Sequence, residues 1–417
     1  MARLMPHTDR LPHALYRAEQ VRELDRCAIE DHGIRAAELM ERAGLAAYRV
    51  LRERWPETDG LTVLCGVGNN GGDGYVIARL ALQEGLSARV LQLGDPARLR
   101  GDALAKAEAY RSAGGTVEPF RGLTARSGVI VDAMLGTGLE REVGGEWAEA
   151  IGAINARPTP VLSVDIPSGL QPDTGRVLGA AVHAEVTVSF IGLKQGMFTG
   201  EGPDCCGEVR FDALQIPAVV YSGQVLSARR LDWEQESRAL GSRRRTAHKG
   251  DFGHVLVVGG APGFAGAARM TGEGALRAGA GLVTVATHPG HAPFINLTRP
   301  ELMCQGIASP RDLDPLLARA TVVALGPGLG QDAWGKALFR KVLEAGLPMV
   351  VDADGLNLLA ATPCRREHWT LTPHPAEAAR LLGCKTQDVQ ADRFASVRRL
   401  QERFGGVAIL KGAGTLV

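Results

Sequence analysis

A chain of 417 residues is longer than one hydrophobic core usually organises, so two domains are expected. Its hydrophobic share of 45% and charged share of 22% are ordinary for a globular protein, and a net charge of +1 gives no electrostatic reason to expect nucleic acid or an anionic membrane as partner. The seven cysteines form no C-x-x-C pair, and the adjacent Cys205 and Cys206 suit neither a disulfide nor a zinc site, which leaves reduced cytoplasmic thiols as the simple reading.

Residues 1–15 are polar and proline-broken, without the apolar centre of a signal peptide. No segment carries the roughly 20 apolar residues that cross a bilayer. Helical patterns are expected at 17–32 and 36–55, followed by a strand at 61–64. The run CGVGNNGGDG at 65–74 comes next, as a strand-to-helix turn, and a helix is expected from 75 to 81. Further strands are expected at 88–93, 129–133, 161–164 and 186–191, with helices at 101–113 and 146–156 between them. Buried strands alternating with helices predict a parallel, doubly wound sheet.

The pattern breaks between 221 and 247, where Arg243, Arg244 and Arg245 form a short basic run that reads as a solvated linker edge. Strands are then expected at 255–258, 282–286, 321–325, 349–351, 370–372 and 407–410, with helices at 266–277, 333–345 and 393–404. No short solenoid-type repeat is present. The expected organisation is a first domain over 1–222, a linker over 223–246 and a second α/β domain over 247–417.

The run at 65–74 is the richest local signal. Its glycines allow positive φ and close approach to backbone N–H groups, and a helix N-terminus behind it favours an anionic or polar ligand. Asn69, Asn70 and Asp73 add oxygens suited to a ribose, a ring substituent or a hard cation. The spacing matches a Rossmann fingerprint poorly, and no G-K-[ST] follows as in a P-loop. Two other strand ends, VDAMLGTGL at 131–139 and SVDIPSGL at 163–170, place Asp132 and Asp165 where parallel sheets bind ligands. Either aspartate alone could equally be a turn or cap residue. Lys194 closes another apolar strand in GLKQG at 192–196; most lysines are solvated, but this position makes it a catalytic candidate.

These four ordered motifs resemble the YjeF N-terminal family, the epimerase domain of NAD(P)H-hydrate repair enzymes. The resemblance covers residues 15–217 and implies a Rossmann-like αβα sandwich, usually a homo-oligomer. It implies as substrate NADH or NADPH hydrated at C6 of the nicotinamide ring, interconverted between R and S forms. Asn69, Asn70, Gly71, Gly72 and Asp73 would grip the substrate with Gly136, Thr137, Gly138, Leu139, Glu140, Arg141, Glu142 and Asp165. Asn70, Asp132 and Ser168 would ligate K+, with backbone carbonyls completing the shell. Asp165 and Lys194 would be the acid/base pair.

The second half is similar to the ADP- or ATP-dependent NAD(P)H-hydrate dehydratases, a ribokinase-like αβα fold. The matching runs are HKGDFGH at 248–254, VVGGAPGFAGA at 257–267, ALGPGLG at 324–330, VDADGLN at 351–357, TLTPHPAE at 370–377 and LKGAGT at 410–415. The resemblance implies that Ala267, Gly328 and His374 contact the hydrated nucleotide, and that Lys411, Gly412, Ala413, Gly414 and Thr415 bind ADP or ATP with Mg2+. It implies phosphorylation of the C6 hydroxyl followed by loss of phosphate. The less favoured alternative for His374 is a satisfied loop histidine. The family's catalytic aspartate lies in a G-x-G-D segment beyond the K-G-A-x-T strand, and no G-x-G-D occurs in 247–417. A C-terminally truncated, incomplete second domain is therefore expected, or a dehydratase half without activity.

Two other readings compete. A ribokinase-class kinase of a small vitamin precursor explains the second half but not the first. A non-catalytic nucleotide-binding scaffold has no need of Asp165 with Lys194. The expectation is a cytoplasmic isomerase and lyase acting on a small molecule, without a nucleic-acid or membrane partner.

Overall fold

The computed structural model describes residues 11–123 and 128–417, so the reading of residues 1–10 lies outside the described residues. The chain forms two compact units that divide between Ala239 and Leu240.

The first unit opens with β1 (Ala14–Tyr16), α1 (Ala18–Arg26) and α2 (Ala36–Arg54). It continues through β2 (Gly60–Cys65), α3 (Asn69–Gln83), β3 (Ser87–Gln92), α4 (Gly101–Ser112) and β4 (Val117–Pro119). Next come β5 (Val129–Ala133), α5 (Gly145–Asn155), β6 (Val161–Val164), β7 (Val186–Phe190) and β8 (Leu193–Lys194). α6 (Gly202–Cys206), β9 (Glu208–Asp212), β10 (Ala228–Arg229) and α7 (Trp233–Glu236) follow.

Seven of these strands make one parallel sheet in the order β4-β3-β2-β5-β6-β7-β9. The chain winds outward from β2 to β4 and returns to β5. The topological switch point, where such sheets bind ligands, therefore lies between β2 and β5. Side-chain alternation explains the valine- and leucine-rich runs. Val63 and Cys65 join a core with Leu39 and Ala43 of α2 and Ile77 of α3, while Leu64 joins Ile151 and Ile154 of α5 in another. Each fully buried aliphatic side chain contributes about 1.5–3 kcal/mol.

Three expectations change. α3 begins at Asn69, not at residue 75, so most of the glycine run is helical. α1 stops at Arg26 and a five-residue π turn, Cys27–Asp31, follows it. The stretch expected as a linker supplies β10, which pairs antiparallel with β1; β1 in turn pairs with β8 and sets Tyr16 beside Lys194.

The second unit contains β11 (His254–Val258), α8 (Ala265–Ala278), β12 (Leu282–Thr287), α9 (Ala292–Ile295) and β13 (Met303–Gly306). α10 (Asp314–Leu317), β14 (Val322–Leu325), α11 (Ala333–Glu344), β15 (Met349–Val351) and α12 (Asp354–Ala361) follow. The last elements are β16 (Trp369–Leu371), α13 (Pro375–Leu382), α14 (Thr386–Ala391), α15 (Arg393–Phe404) and β17 (Val407–Ala408). Its parallel sheet has the order β13-β12-β11-β14-β15-β16-β17, with the switch point between β11 and β14. The strand expected over 407–410 is only two residues long. Leu410 leaves it to pair antiparallel with Leu416 across the glycine turn.

Candidate functional site

Four of the five glycines of the 65–74 run serve packing, whereas Gly68 has open space around it and lines the cleft. None of Gly66, Gly68, Gly71, Gly72 or Gly74 takes a positive φ. A Cβ on Gly71 would overlap the carbonyl oxygen of Gly66; one on Gly72 would stand 2.5 Å from Met40 Sδ, and one on Gly74 2.6 Å from Ala133 Cβ. Bare backbone lets α3 sit against α2 and the sheet at the switch point. Gly71 and Gly72 are therefore buried behind the site, whereas Asn69, Asn70 and Asp73 line it.

The site is a cleft of about 1260 Å³. Its walls include the start of α3, the loop after β5 with Gly136, Thr137, Gly138, Leu139, Glu140, Arg141 and Glu142, and Asp165 after β6. Asp25 of α1 also lines it, a residue that sequence reasoning missed. A signal was present: Asp25 lies four residues after Val21, on a helix whose buried stripe is Ala18, Val21 and Leu24. A carboxylate beside an apolar stripe is out of place on a merely solvated helix.

Beneath the cleft lies a buried polar network. Asp132 is fully buried in the middle of the sheet, opposite Leu64 and Ser163. Its Oδ2 accepts from Ser163 Oγ at 2.9 Å and Ser168 N at 2.8 Å, and its Oδ1 accepts from Ser168 Oγ at 2.5 Å and Met134 N at 3.3 Å. Burial raises its pKa, and these hydrogen bonds oppose the rise. Asn70 donates from Nδ2 to Leu135 O at 3.1 Å, yet its Oδ1 is buried without a hydrogen-bond partner among the described residues. Such an orphan acceptor has a high desolvation cost unless something outside the chain satisfies it.

Lys194 is fully buried, and its Nζ forms an ion pair with Asp165 Oδ1. It also donates to Ser189 Oγ at 3.0 Å and to Phe190 O at 3.5 Å. Asp165 occupies the left-handed region at φ 69°, which aspartate tolerates better than most residues. Its side chain keeps 17% exposure. Two more carboxylates surround the pair. Burial pushes Asp25 up to about 6; the Asp165 charge adds to the rise and Lys194 opposes it. Burial, then Asp165 and Asp25, push Asp73 well above the usual carboxylate range, against Lys106 and Lys194. The region can therefore hold and exchange protons near neutral pH.

In the second unit the turns after β11 and β14 are tied together: Gly260 N donates to Pro327 O at 3.1 Å and Ala261 N to Gly328 O at 2.7 Å. Gly328 takes φ 61°, and a Cβ there would come within 3.3 Å of Ala267 Cβ, so the structure brings these two expected residues together. His374 caps α13, its Nδ1 accepting from Ala376 N at 3.1 Å and Glu377 N at 3.4 Å. The ring is thus held by the backbone, in agreement with the plain structural reading, while its side chain stays 47% exposed. Lys411 N donates to Pro373 O at 2.9 Å, which sets the Lys411 loop beside His374, and Lys411 Nζ pairs with Asp352 Oδ1 at 2.8 Å. Gly412 and Gly414 both take positive φ. The fully buried Arg393 donates to the carbonyls of Leu410, Lys411 and Gly414 and fixes this loop.

Comparison with known proteins covers both units. The family model of the YjeF-related protein N-terminus matches residues 36–196, and that of the NAD(P)H-hydrate dehydratase matches residues 255–417. The chain is 50% identical over 404 residues to the bifunctional NAD(P)H-hydrate repair enzyme of Coxiella burnetii, covering 97% of this chain and 83% of that protein. It is 44% identical over 408 residues to the Escherichia coli enzyme of the same name, covering 98% of this chain and 79% of that protein. The crystal structure of an ADP/ATP-dependent NAD(P)H-hydrate dehydratase from Bacillus subtilis, co-crystallised with ATP/Mg2+, is similar at 29% identity and a TM-score of 0.39, over 44% of this chain and 66% of that one. The matches span 83% of the Coxiella protein and 79% of the Escherichia coli one, and they run through both units of this chain. Continuous matches across both halves also remove the vitamin-precursor kinase and scaffold readings.

Proposed function

The chain belongs to the family of bifunctional NAD(P)H-hydrate repair enzymes, and from that premise we propose that its epimerase unit works through Asp165 and Lys194. The observation that carries this assignment is a fully buried ammonium paired with a carboxylate that opens onto the cleft. C6 of the hydrated ring bears a hydroxyl beside the ring nitrogen. Changing its configuration requires protons to be given to and taken from oxygen, which a carboxylate and an ammonium in contact can do in both directions. Asn69, Asn70, Asp73 and the loop 136–142 would hold the nucleotide, with the α3 N-terminus facing its anionic part.

A potassium ion fits Asn70, Asp132 and Ser168, because the donors are all oxygen and Asn70 Oδ1 is a buried acceptor in need of a partner. Bound there, it would supply a fixed positive charge under the substrate. In the dehydratase unit, Ala267, Gly328 and His374 would contact the hydrated nucleotide. Lys411, Gly412, Ala413, Gly414 and Thr415 would receive ADP or ATP with Mg2+, the positive-φ glycines turning backbone N–H groups towards phosphate. A homo-oligomer in the cytoplasm, without nucleic acid or membrane as partner, completes the reading; light scattering of the purified chain tests the oligomer. None of the helices among the described residues is long and apolar enough to cross a membrane.

The test is R-to-S conversion of hydrated NADH and NADPH, with and without K+, by the wild type, Asp165→Asn and Asn70→Ala. Loss of turnover in the first variant and loss of K+ response in the second are expected. A folded Asp165→Asn protein with full turnover would refute the assignment.

A further inference from the structure

Asp25 has no role in the acid/base pair described so far, yet it shares the cleft with that pair. It reaches the cleft from α1, whereas Asp165 stands at the end of β6 and Lys194 in β8. The charged and titratable groups around it are Asp73 on α3, the Asp165–Lys194 pair, and Tyr221, whose hydroxyl donates to Ile191 O. On its own helix, Arg22 and Arg26 line the same cleft, but Arg26 is engaged by Glu23 and Glu30. Three carboxylates thus meet one buried ammonium, and that ammonium is already committed to Asp165.

We propose that Asp25 is a second acid/base residue of the epimerase site, the proton donor to the C6 hydroxyl while Asp165 serves as the base. The proposal rests on the epimerase reading above. Inversion at C6 exchanges an oxygen on one face of the ring for an oxygen on the other. One group must protonate the oxygen that leaves and another must take the proton of the oxygen that enters. In the forward direction the C6–O bond breaks with its electron pair on oxygen, the Asp25 proton joins that oxygen, and water departs. The ring nitrogen's lone pair accepts the positive charge left at C6. A water molecule then bonds to C6 from the other face and gives a proton to the Asp165 carboxylate. Water is released and consumed in equal amount, so no further reactant is needed. The proton has moved from Asp25 to Asp165; the reverse reaction returns it, and solvent at the cleft resets both groups. Because Asp25 is pushed up to about 6, its acid form persists to far higher pH than that of a solvated aspartate.

The experiment measures kcat and KM for R-to-S conversion against pH in the wild type, Asp25→Asn and Asp25→Glu. Wild-type kcat/KM should fall as pH rises through about 6. Asp25→Asn should lose about 100-fold or more in kcat, with KM changed far less and the high-pH fall abolished. Asp25→Glu should restore part of the rate. A purely structural role would instead lower the melting temperature and leave the shape of the pH profile intact. An active wild type whose kcat/KM is level across this range, or an Asp25→Asn protein with wild-type kcat, overturns the role of Asp25 alone. A wild type inert towards both epimers overturns the epimerase reading, and this role with it.

Discussion

Replacing Asp165 with asparagine should damage the fold as well as the chemistry. Lys194 is fully buried, and Asp165 is its partner in the only ion pair it makes among the described residues. In Asp165→Asn the ammonium keeps Ser189 Oγ and Phe190 O but loses its ion-pair partner, and Asp25 and Asp73 act on it only from a distance without pairing. Breaking a buried pair from one side costs about 3–5 kcal/mol, because the remaining charge is left desolvated. For a unit of this size that is a fall of roughly 6–20 °C in melting temperature. Lys194→Met behaves differently. It removes the buried charge itself and leaves Asp165 at the cleft, where its partial exposure lets water replace the lost partner. Its cost should stay under about 2 kcal/mol. The double variant Asp165→Asn/Lys194→Met should therefore be more stable than Asp165→Asn alone, while remaining inactive. Calorimetry of the full chain, with hydrogen exchange to locate the transition in the first unit, reads the order. An Asp165→Asn protein that melts with the wild type, or a double variant no more stable than Asp165→Asn, would refute the reasoning.

Three further outcomes are expected. Gly71→Ala should destabilise the first unit by about 1–3 kcal/mol, because the new Cβ meets the Gly66 carbonyl; Gly138→Ala, with open space around it, should change stability by less than about 0.5 kcal/mol in urea unfolding. Asp25 has a folded-state pKa raised to about 6, so its contribution to stability is fully present below the unfolded value near 4 and is lost as pH rises through 6. Asp25→Asn should accordingly raise the melting temperature at pH 8 and leave it nearly unchanged at pH 4; equal effects at both would contradict the buried-carboxylate account. Lys411→Ala breaks an ion pair whose side chains are 40% and 35% exposed, so stability should shift by less than about 1 kcal/mol. ADP affinity, measured by titration calorimetry, should fall by roughly tenfold or more; unchanged affinity would remove Lys411 from the nucleotide site.

The central strands were legible because they are buried on both faces and so read as apolar runs such as Val129 to Val131. The edge strands β4 and β9 escaped notice because Val117–Pro119 and Glu208–Asp212 carry few apolar residues and face neighbours on one side only. The Asn69–Asp73 run drew attention for sound reasons but was misread locally. A glycine cluster shows that something approaches the backbone closely, not whether it is a ligand or another helix. Here α2, the sheet and the Gly66 turn do so, and the positions left lining the cleft are Gly68, Asn69, Asn70 and Asp73. Asp25 was missed because its meaning depends on Asp165 and Asp73, which lie 140 and 48 residues further along the chain.

The two units use one plan for different chemistry. Each sheet opens at its switch point between the two central strands and crosses that opening with glycine-rich turns. What stands behind the turns differs. In the first unit the charges are withdrawn from solvent: Lys194 and Asp132 are fully buried, and burial dominates the behaviour of Asp25 and Asp73. Low dielectric there makes each carboxylate sensitive to its neighbours' protonation, which suits reversible proton transfer at one carbon. In the second unit Lys411, Asp352 and His374 remain substantially exposed, and the buried Arg393 spends its hydrogen bonds on backbone carbonyls. Solvated side chains on a backbone held rigid from below are poor at tuning protons, but they can gather round a phosphate chain that brings its own charge. The contrast is consistent with the epimerase reading of the first site and with the phosphate-dependent reading of the second.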